Sequence, residues 1–532
     1  MRVLLINPYY PLTEMPSPPL GLCYVAAAFE RAGATVRILD LVVSPYSRDR
    51  IEKLLREFRP RLVGATCVTM SFNAAMMVLR DTKAIDPSII TVMGGPHVTY
   101  RARETLVEEP ALDLAVLGEG ETIVAEMTAI LACGQGIDAL KRVPGITLRD
   151  GDAIHESMPR EHRVDVRKLP LPARHLVPME RYRALDLAAS MITSRGCPFQ
   201  CIFCVGRKMS GAKVRYRDAV DVVDEMELLA KLGFSQINIA DDLFTAKKKH
   251  CFAICDEIIR RGLNVRWTAF SRANTVSPDL LAKLKEAGCV HLSFGFESAN
   301  EEILKTVNKR IDRSDMMRAV EMCREAGMSA QASFIYGLPG ETPGTMEETA
   351  EFRRLIHSLG MESGIHLLAP FPGTLVRERA AEYGVRILTD DWSQYTANSA
   401  IVETPGTNSD SLEKDVIALQ QMVMDQVAEI CRKVEEGTAT EEDRQRYNKL
   451  DRMGIFYEIM MQDLLAEPLA VPAGAAGDAE DLLSHLVDRV VPHIIFTPAR
   501  VQDAMRHALE HDLFSIHRDG AGLHLDWSEF WA

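Results

Sequence analysis

Long apolar runs are missing from this chain: nothing approaches the ~18 consecutive apolar residues of a membrane span. The N-terminus enters Arg2-Val3-Leu4-Leu5-Ile6 without the charged-then-apolar pattern of a signal peptide. A cytoplasmic protein with no membrane span is expected. Excess positive charge is missing too, since 61 basic against 75 acidic residues leave a net charge of −14. A chain of that sign does not attract nucleic acid or anionic lipid, and local basic runs such as Lys247-Lys248-Lys249 read as solvated faces. Cysteine is sparse and odd in number, 11 in 532 residues, which does not make a disulfide scaffold at this length and in this compartment. Outside one triplet only Cys251 and Cys255 lie close together, and an i, i+4 pair with no further thiol beside it reads as packed side chains. No Gly-x-Gly-x-x-Gly follows the first strand, which argues against a dinucleotide site.

What is present is an ordinary soluble composition, 47% hydrophobic and 26% charged, in a chain long enough for three or four domains. It opens with strand-like runs at Val3–Asn7, Val36–Leu41, Leu62–Val68, Ile89–Gly94 and Leu114–Leu117, separated by amphipathic stretches such as Leu20–Arg31 and Arg50–Phe58. Short buried runs alternating with helical patterns predict an α/β, doubly wound parallel sheet over residues 1–140. Such sheets bind ligands at the carboxyl ends of their strands. The loops there are Pro16-Ser17-Pro18-Pro19, Thr69-Met70-Ser71, Gly94-Gly95-Pro96-His97 and Gly118-Glu119-Gly120-Glu121, whose glycines let backbone approach a large flat or phosphate-bearing ligand.

Through Pro16–Leu22, Met93–His97 and Leu117–Glu121 this region resembles the cobalamin-binding domain that precedes the catalytic barrel in one branch of radical enzymes. The resemblance implies cobalamin contacts from Ser17, Thr69, Gly94, Gly95, His97, Gly118 and Glu119. The Asp-x-His-x-x-Gly pattern that supplies a cobalt-ligating His in methionine-synthase-type domains is absent. Either cobalamin is bound without a protein His or the cofactor has been lost; His97 is the nearby imidazole, and a turn His bonded to backbone is its bland alternative.

Residues 141–187 read as a linker, with a small hairpin around Ile146–Asp152 and a proline-rich stretch from Leu169 to Pro178 that forbids regular helix. From residue 188 to about 400 the alternation resumes, with strands at Ala189–Thr193, Gln236–Ala240, Arg266–Phe270, His291–Phe296, Ala330–Tyr336 and Gly364–Leu368. Six units predict a (β/α)6 partial TIM barrel, with reactive groups at the C-terminal strand ends. After the first strand stand Cys197, Cys201 and Cys204. Three thiolates on one loop can hold three irons of a cubane and leave one iron open, whereas a closed site normally wants four protein ligands. A zinc knuckle completed by Cys251 or a His is the structural alternative.

Cys-x3-Cys-x2-Cys with Phe203 before the last Cys resembles the signature of the radical S-adenosylmethionine (SAM) superfamily. That resemblance implies a 4Fe-4S cluster whose open iron is chelated by SAM, and an external one-electron reductant of flavodoxin or ferredoxin type. Electron transfer into SAM would release a 5′-deoxyadenosyl radical that abstracts hydrogen from an unactivated C–H bond. It also implies SAM contacts from Phe203 (adenine), Asp241 and Asp242 (amino group or ribose), Arg272 (carboxylate, bidentate), Glu297 and Ser298 (ribose or amine), and Gly337 and Gly340 (backbone toward adenine). Phe203 could equally be only packing at the barrel mouth, and each of the other strand-tip motifs has a bland alternative as a helix cap, as in Ser298–Glu302 and Thr342–Glu348.

Residues 401–532 predict a mainly helical C-terminal domain: Ser411–Glu435, Glu441–Leu465, Leu482–Val490 and Val501–Phe514, with a linker at Leu469–Gly477. Trp527, Phe530 and Trp531 would cap a substrate channel or simply pack. Together the domains resemble the family containing anaerobic magnesium-protoporphyrin monomethyl ester cyclase and the cobalamin-dependent radical methylases. The expected function is methyl transfer to an unactivated carbon, or a phosphinate phosphorus, of a small molecule or lipid. The alternatives are an oxidative cyclase, rearrangement or carbon–carbon coupling enzyme, and a cobalamin- or metal-dependent sensor or scaffold.

Overall fold

A computed structural model describes residues 1–466, 479–519 and 522–527. The chain begins with β1 (Arg2–Asn7), α1 (Leu20–Arg31), β2 (Thr35–Asp40), α2 (Arg48–Phe58), β3 (Leu62–Thr66), α3 (Phe72–Ile85), β4 (Ile90–Gly94), α4 (Pro96–Glu108), β5 (Leu114–Val116) and α5 (Glu121–Ala132). The five strands are parallel in the order β2-β1-β3-β4-β5. Val3, Leu5, Leu62, Val92 and Leu114 pack under α1 and α5, while Leu4, Ile6, Val63, Met93 and Ala115 pack under α2, α3 and α4. Burial on both faces is why these strands read as continuous apolar runs rather than as alternation. Strand order reverses between β1 and β3, and that switch point is where the topology leaves a crevice.

The hairpin expected inside the linking segment, β6 (Ile146–Asp150) and β7 (Ala153–Glu156), pairs antiparallel with β5 and completes a seven-stranded sheet. It covers what would otherwise be the open edge of β5.

The second unit runs α6 (Met179–Ala184), β8 (Ala189–Met191), β9 (Ser194–Arg195), α7 (Gly206–Ser210), β10 (Arg215–Tyr216), α8 (Ala219–Lys231), β11 (Ile237–Ile239), α9 (Lys248–Arg260), β12 (Trp267–Ser271), α10 (Pro278–Glu286), β13 (Cys289–Glu297), α11 (Glu301–Thr306), α12 (Arg313–Ala326), β14 (Ala330–Tyr336), α13 (Pro343–Ser358) and β15 (Glu362–Leu367). Strands β8 and β11 to β15 are parallel neighbours in chain order, with β8 and β15 at the two edges. This is the open six-stranded barrel. Local signals agree with it: Asp312 caps α12 in a capping box and Gly327 ends it in the left-handed region, while Thr342 caps α13 with Pro343 at its first position.

Beyond α14 (Leu375–Glu378) and the short pair β16 (Arg386–Ile387) and β17 (Val402–Glu403) come α15 (Ser409–Glu435), α16 (Glu441–Met461), α17 (Ala479–Val490) and α18 (Pro498–Glu510). The helical tail ends in an antiparallel hairpin, β18 (Phe514–Asp519) and β19 (Gly522–Trp527), which helical periodicity did not foretell. Trp527 packs edge-on, 4.8 Å from the Phe514 ring and 6.2 Å from that of Phe456, with the Arg181 guanidinium 5.7 Å from its centre. Phe530, Trp531 and the Leu469–Gly477 linker lie outside the described residues. Among the described residues no helix is long and apolar enough to cross a membrane.

The two units share a core. Phe72, Val98 and other residues of α2 to α4 belong to one apolar cluster with Ile202, Tyr336, Leu367, Trp392 and Tyr395 of the barrel and its trailing segment. Packed this way, the strand tips of the first sheet meet the strand tips of the barrel.

Candidate functional site

The cysteine loop is held from two sides. On one side stand the aspartates after β11. Asp241 accepts four hydrogen bonds from the end of the first barrel strand: Thr193 N (2.6 Å) and Oγ1 (2.5 Å), and Ser194 N (3.0 Å) and Oγ (2.7 Å). Asp242 accepts the N–H of Gly196 at 2.8 Å. Burial raises the Asp241 carboxyl while its four donors lower it. Asp241 was expected at the SAM amino group or ribose; its oxygens are instead filled by the protein's own donors, so it positions the loop. On the other side, the turn after α11 takes the Ile202 N–H on the Val307 carbonyl (3.1 Å) and donates from Asn308 Nδ2 to the Gln200 carbonyl (2.9 Å).

Within the loop, Cys197 donates its N–H to Gly211 O (3.0 Å) and the Gly206 N–H meets Cys204 Sγ at 3.3 Å. Burial raises the Cys197 thiol and pushes that of Cys204 up to about 11, with backbone N–H groups opposing. Both thiols feel the charge of Cys201, and Cys204 also that of Cys197. Among the described residues no three His, Cys, Asp or Glu side chains gather as the ligands of one ion would. A cubane asks for something different, one thiolate for each of three irons. Cys251, the proposed fourth zinc ligand, is buried in the barrel core with Cys255, its Sγ donating to Phe244 O at 3.4 Å. Phe203 is half-buried against the shared core.

Next to the thiols lies a buried polar group. Arg272, at the tip of β12, is 4% exposed, and its guanidinium sits 3.8 Å from the centre of the Phe199 ring, on the cysteine loop itself. Its Nε donates to Asn274 Oδ1 (3.0 Å), the Cys201 and Cys197 thiols lie beside it, and its Nη2 has no protein partner. A buried guanidinium with a donor to spare suits a carboxylate. Glu297, at the tip of β13, takes a backbone φ of 71° and accepts Lys309 Nζ at 2.6 Å, both side chains being buried. Gly295 makes room for this pair, because a Cβ there would meet Glu297 Oε1 at 2.4 Å and Lys309 Nζ at 3.0 Å. Lys309 was not foreseen, and a Lys in an Asn-Lys-Arg turn carries no signal that it will be buried.

Other expected contacts resolve differently. Ser298 is wholly buried, its Oγ accepting the Asn300 N–H (3.2 Å) near Thr349, and Asn300 rather than Ser298 caps the following helix. Gly337 donates its N–H to Glu341 Oε2 at 2.6 Å, in a loop where both Gly337 and Gly340 need positive φ. Glu341 is buried with one oxygen unpartnered, and burial pushes its carboxyl up to about 8.

Facing the barrel, the first sheet opens a cavity of about 270 Å³ at its switch point. Its depth is apolar, a slot between the sheet and helices α1 and α5 lined by Leu5, Phe29, Gly64, Val92, Val116 and Val124. Gly94, Gly95, Gly118 and Glu119, four of the candidate cobalamin contacts, border it. Gly95 has no alternative, since at φ 109° any Cβ would lie 2.5 Å from the Cys67 carbonyl oxygen. Gly64 was missed, although a glycine inside an apolar strand is a recognised sign of close approach by another group. The barrel closes the cavity with Arg195, Met209 and Ser210 from either end of the cysteine loop.

Three candidates do not line the cavity. His97 is 1% exposed, stacked on Phe72 (4.5 Å) and edge-on to Trp392 (4.9 Å), and burial lowers it to about 3. Its backbone N–H bonds the Cys67 carbonyl at 3.4 Å, while the imidazole Nδ1 is buried without a protein partner, so this is a stacked core histidine of a helix rather than a turn His bonded to backbone. Thr69 is buried in a turn packed against the barrel's trailing segment, and Ser17 accepts Ser190 Oγ at 2.9 Å, joining the first barrel strand.

Ion pairs lace the junction. Glu119 accepts Arg215 at 2.6 and 2.9 Å and the Val164 N–H at 2.9 Å, and Arg195 reaches Glu121 at 2.7 Å and Glu119 at 3.5 Å. Charge partners and burial thus couple the residue two before Cys197 to the rim of the cavity, and hold the Glu119 carboxyl below its usual range against desolvation.

Residues 13–128 match the B12 binding domain family and residues 191–353 the radical SAM superfamily. An uncharacterized methyltransferase of Pyrococcus horikoshii is 33% identical over 400 residues, 75% of this chain and 85% of that protein. The anaerobic magnesium-protoporphyrin IX monomethyl ester cyclase of Rubrivivax gelatinosus is 31% identical over 367 residues, 66% of each chain. The structure of the radical SAM methyltransferase TsrM of Kitasatospora setae, with cobalamin and a [4Fe-4S] cluster bound, shares the fold at a TM-score of 0.61 and 22% identity, over 77% of this chain and 84% of that one.

Proposed function

This chain belongs to the radical SAM superfamily, in the branch whose barrel follows a B12-binding domain, and on that premise we propose that it is a cobalamin-dependent methyltransferase acting on an unactivated carbon, or a phosphinate phosphorus, of a small molecule or lipid. One observation carries the reading. The glycine-rimmed cavity of the first sheet is closed by residues of the cysteine loop, Arg195, Met209 and Ser210, so a group seated there lies against the loop that would hold the cluster.

When bound, the cluster with SAM supplies a hydrogen-abstracting radical and the corrinoid supplies the methyl group. Cys197, Cys201 and Cys204 would ligate three irons. Arg272 fits the SAM carboxylate through its unpartnered Nη2, and Glu297, fixed by Lys309, fits the amine or ribose. Phe203 and the Gly337 and Gly340 backbone would border adenine. Gly94, Gly95, Gly118 and Glu119 would border the corrin, and the apolar slot around Gly64 would accept its dimethylbenzimidazole limb. With His97 in the core, the reading in which cobalamin is bound without a protein imidazole is favoured. Residues 1–140 with the β6–β7 hairpin then hold the corrinoid, 141–187 link, 188–400 generate the radical, and 401–532 bear on substrate choice. A cytoplasmic location with an external one-electron donor completes the reading.

Anaerobic reconstitution with iron, sulfide and hydroxocobalamin tests it. A bound corrinoid, and S-adenosylhomocysteine formed alongside 5′-deoxyadenosine, are expected. 5′-Deoxyadenosine alone would favour oxidative cyclisation, the rival that the cyclase relative supports, and no SAM cleavage at all would leave only a sensor or scaffold.

A further inference from the structure

From Arg195 to Arg217 the chain carries Arg195, Arg207, Lys208, Lys213, Arg215 and Arg217 and no Asp or Glu, in a protein whose net charge is −14. Three of these cations are engaged inside: Arg195 and Arg215 by Glu119 and Glu121, and Arg217 by buried Glu225. The other three lie on α7 and the turn behind it. Lys208 and Lys213 are exposed, and Arg207 is half-buried with its guanidinium on the Pro198 carbonyl at 2.6 Å. Arg163, exposed on the interdomain segment, joins them by donating to the carbonyls of Lys208 (2.7 Å) and Met209. Against these four stand Glu378, 2.8 Å from Lys208 in an exposed pair that contributes little net attraction, and Asp242 beside Gly206, whose carboxylate is engaged by the Gly196 N–H. The result is a cationic ledge on an otherwise acidic protein.

This ledge is wired to the cysteine loop. The first residue of α7 donates its N–H to Cys204 Sγ at 3.3 Å, and Gly211 just behind it accepts the N–H of Cys197 at 3.0 Å. Reductive cleavage of SAM consumes one electron that a single cluster must first receive from outside. Electron tunnelling weakens steeply with distance, so the donor has to dock close to the thiols. An acidic donor would be repelled by the protein's overall charge and attracted where the sign reverses.

We propose that the ledge of Arg163, Arg207, Lys208 and Lys213 is the docking face for an acidic one-electron carrier protein, an inference that rests on the radical SAM reading of the loop. In that step the carrier is oxidised by one electron and the cluster reduced by one, with no bond made or broken.

The test uses reconstituted holoenzyme and a reduced acidic flavodoxin as the probe, with dithionite in parallel. Lys208→Glu/Lys213→Glu is expected to slow flavodoxin-driven cluster reduction roughly tenfold or more, while dithionite-driven 5′-deoxyadenosine formation stays at the wild-type level. The wild-type flavodoxin rate should fall as ionic strength rises from roughly 0.05 to roughly 0.5 M, because screening shortens the reach of the charges. Equal flavodoxin rates in variant and wild type, or a wild-type rate indifferent to salt, overturn the proposal. Should the charge-reversed protein fail to load a cluster, Lys208→Gln/Lys213→Gln is read by the same two outcomes. Failure of wild-type enzyme to cleave SAM even with dithionite would sink the radical SAM reading instead.

Discussion

At the carboxyl ends of β3, β4 and β5 the lining is mostly glycine and apolar side chain, with the ion-paired Glu119 and Glu121 on its rim; at those of β8, β12 and β13 it is thiol, guanidinium, carboxylate and ammonium. The first region offers shape, an apolar slot with a backbone rim, and its selectivity rests on what a Cβ would block. The second offers charge, kept buried only because each ionised group has a partner or a donor held ready. Substitutions should therefore act by filling space in one region and by unbalancing charge in the other.

The largest expected effect lies in the charged region. Cys201→Ala should reduce SAM cleavage to background, because the cofactor and not the protein carries the difficult step; corrinoid uptake, read by its absorption spectrum, should persist. If both functions vanish together, the two regions are not separable.

Next comes Lys309→Met, which strands the buried Glu297 carboxylate and should cost about 3–5 kcal/mol in unfolding free energy, as for other broken buried pairs. SAM affinity measured on the reconstituted protein should drop with it, and Lys309→Arg should recover much of both. Unchanged SAM binding in Lys309→Met would detach the pair from the site.

Gly64→Leu tests the other region. Its Cβ would already meet Leu5 Cδ2 at 3.1 Å, and overpacking of ~1–3 kcal/mol should weaken corrinoid binding roughly tenfold to a hundredfold. SAM cleavage without methyl transfer should survive.

His97→Phe should move least. Corrinoid binding is expected to stay within about twofold, the site being lined without this ring. The pH dependence of unfolding should change, however. His97 titrates near 3 when folded against an ordinary 6.5, so between those values the unfolded chain binds more protons and stability falls as pH drops from about 6.5 toward 3. Removing the imidazole should flatten that limb, and loss of corrinoid binding would return His97 to the site.

Legibility followed the same divide. Cys197, Cys201 and Cys204 announce themselves because three thiols at this spacing on one loop have few structural uses. Arg272 and Glu297 were named from their place at barrel strand tips, and the structure buries Arg272 against Phe199 of the loop and pairs Glu297 with Lys309. Asp241 and Ser298 were named by the same reasoning, yet their oxygens are taken by neighbouring N–H and O–H groups, because a strand tip must satisfy its own backbone before it can serve a ligand. The glycine rim was legible as strand-tip turns open to a ligand, although glycine punctuates most such turns, and Gly64, deep in the slot, looked like part of a strand.

The sequence by itself determined the alternation that builds two parallel sheets, the order of the domains, and the chemistry of the cysteine loop. These depend on local periodicity and residue type. Only the tertiary structure decided that His97 is a core residue, that Lys309 neutralises Glu297, that Asp241 braces the loop, and that the cavity of one sheet is closed by the cysteine loop of the other. Those outcomes depend on which groups desolvate one another across gaps of tens to hundreds of residues, and burial of that kind has no signature along the chain.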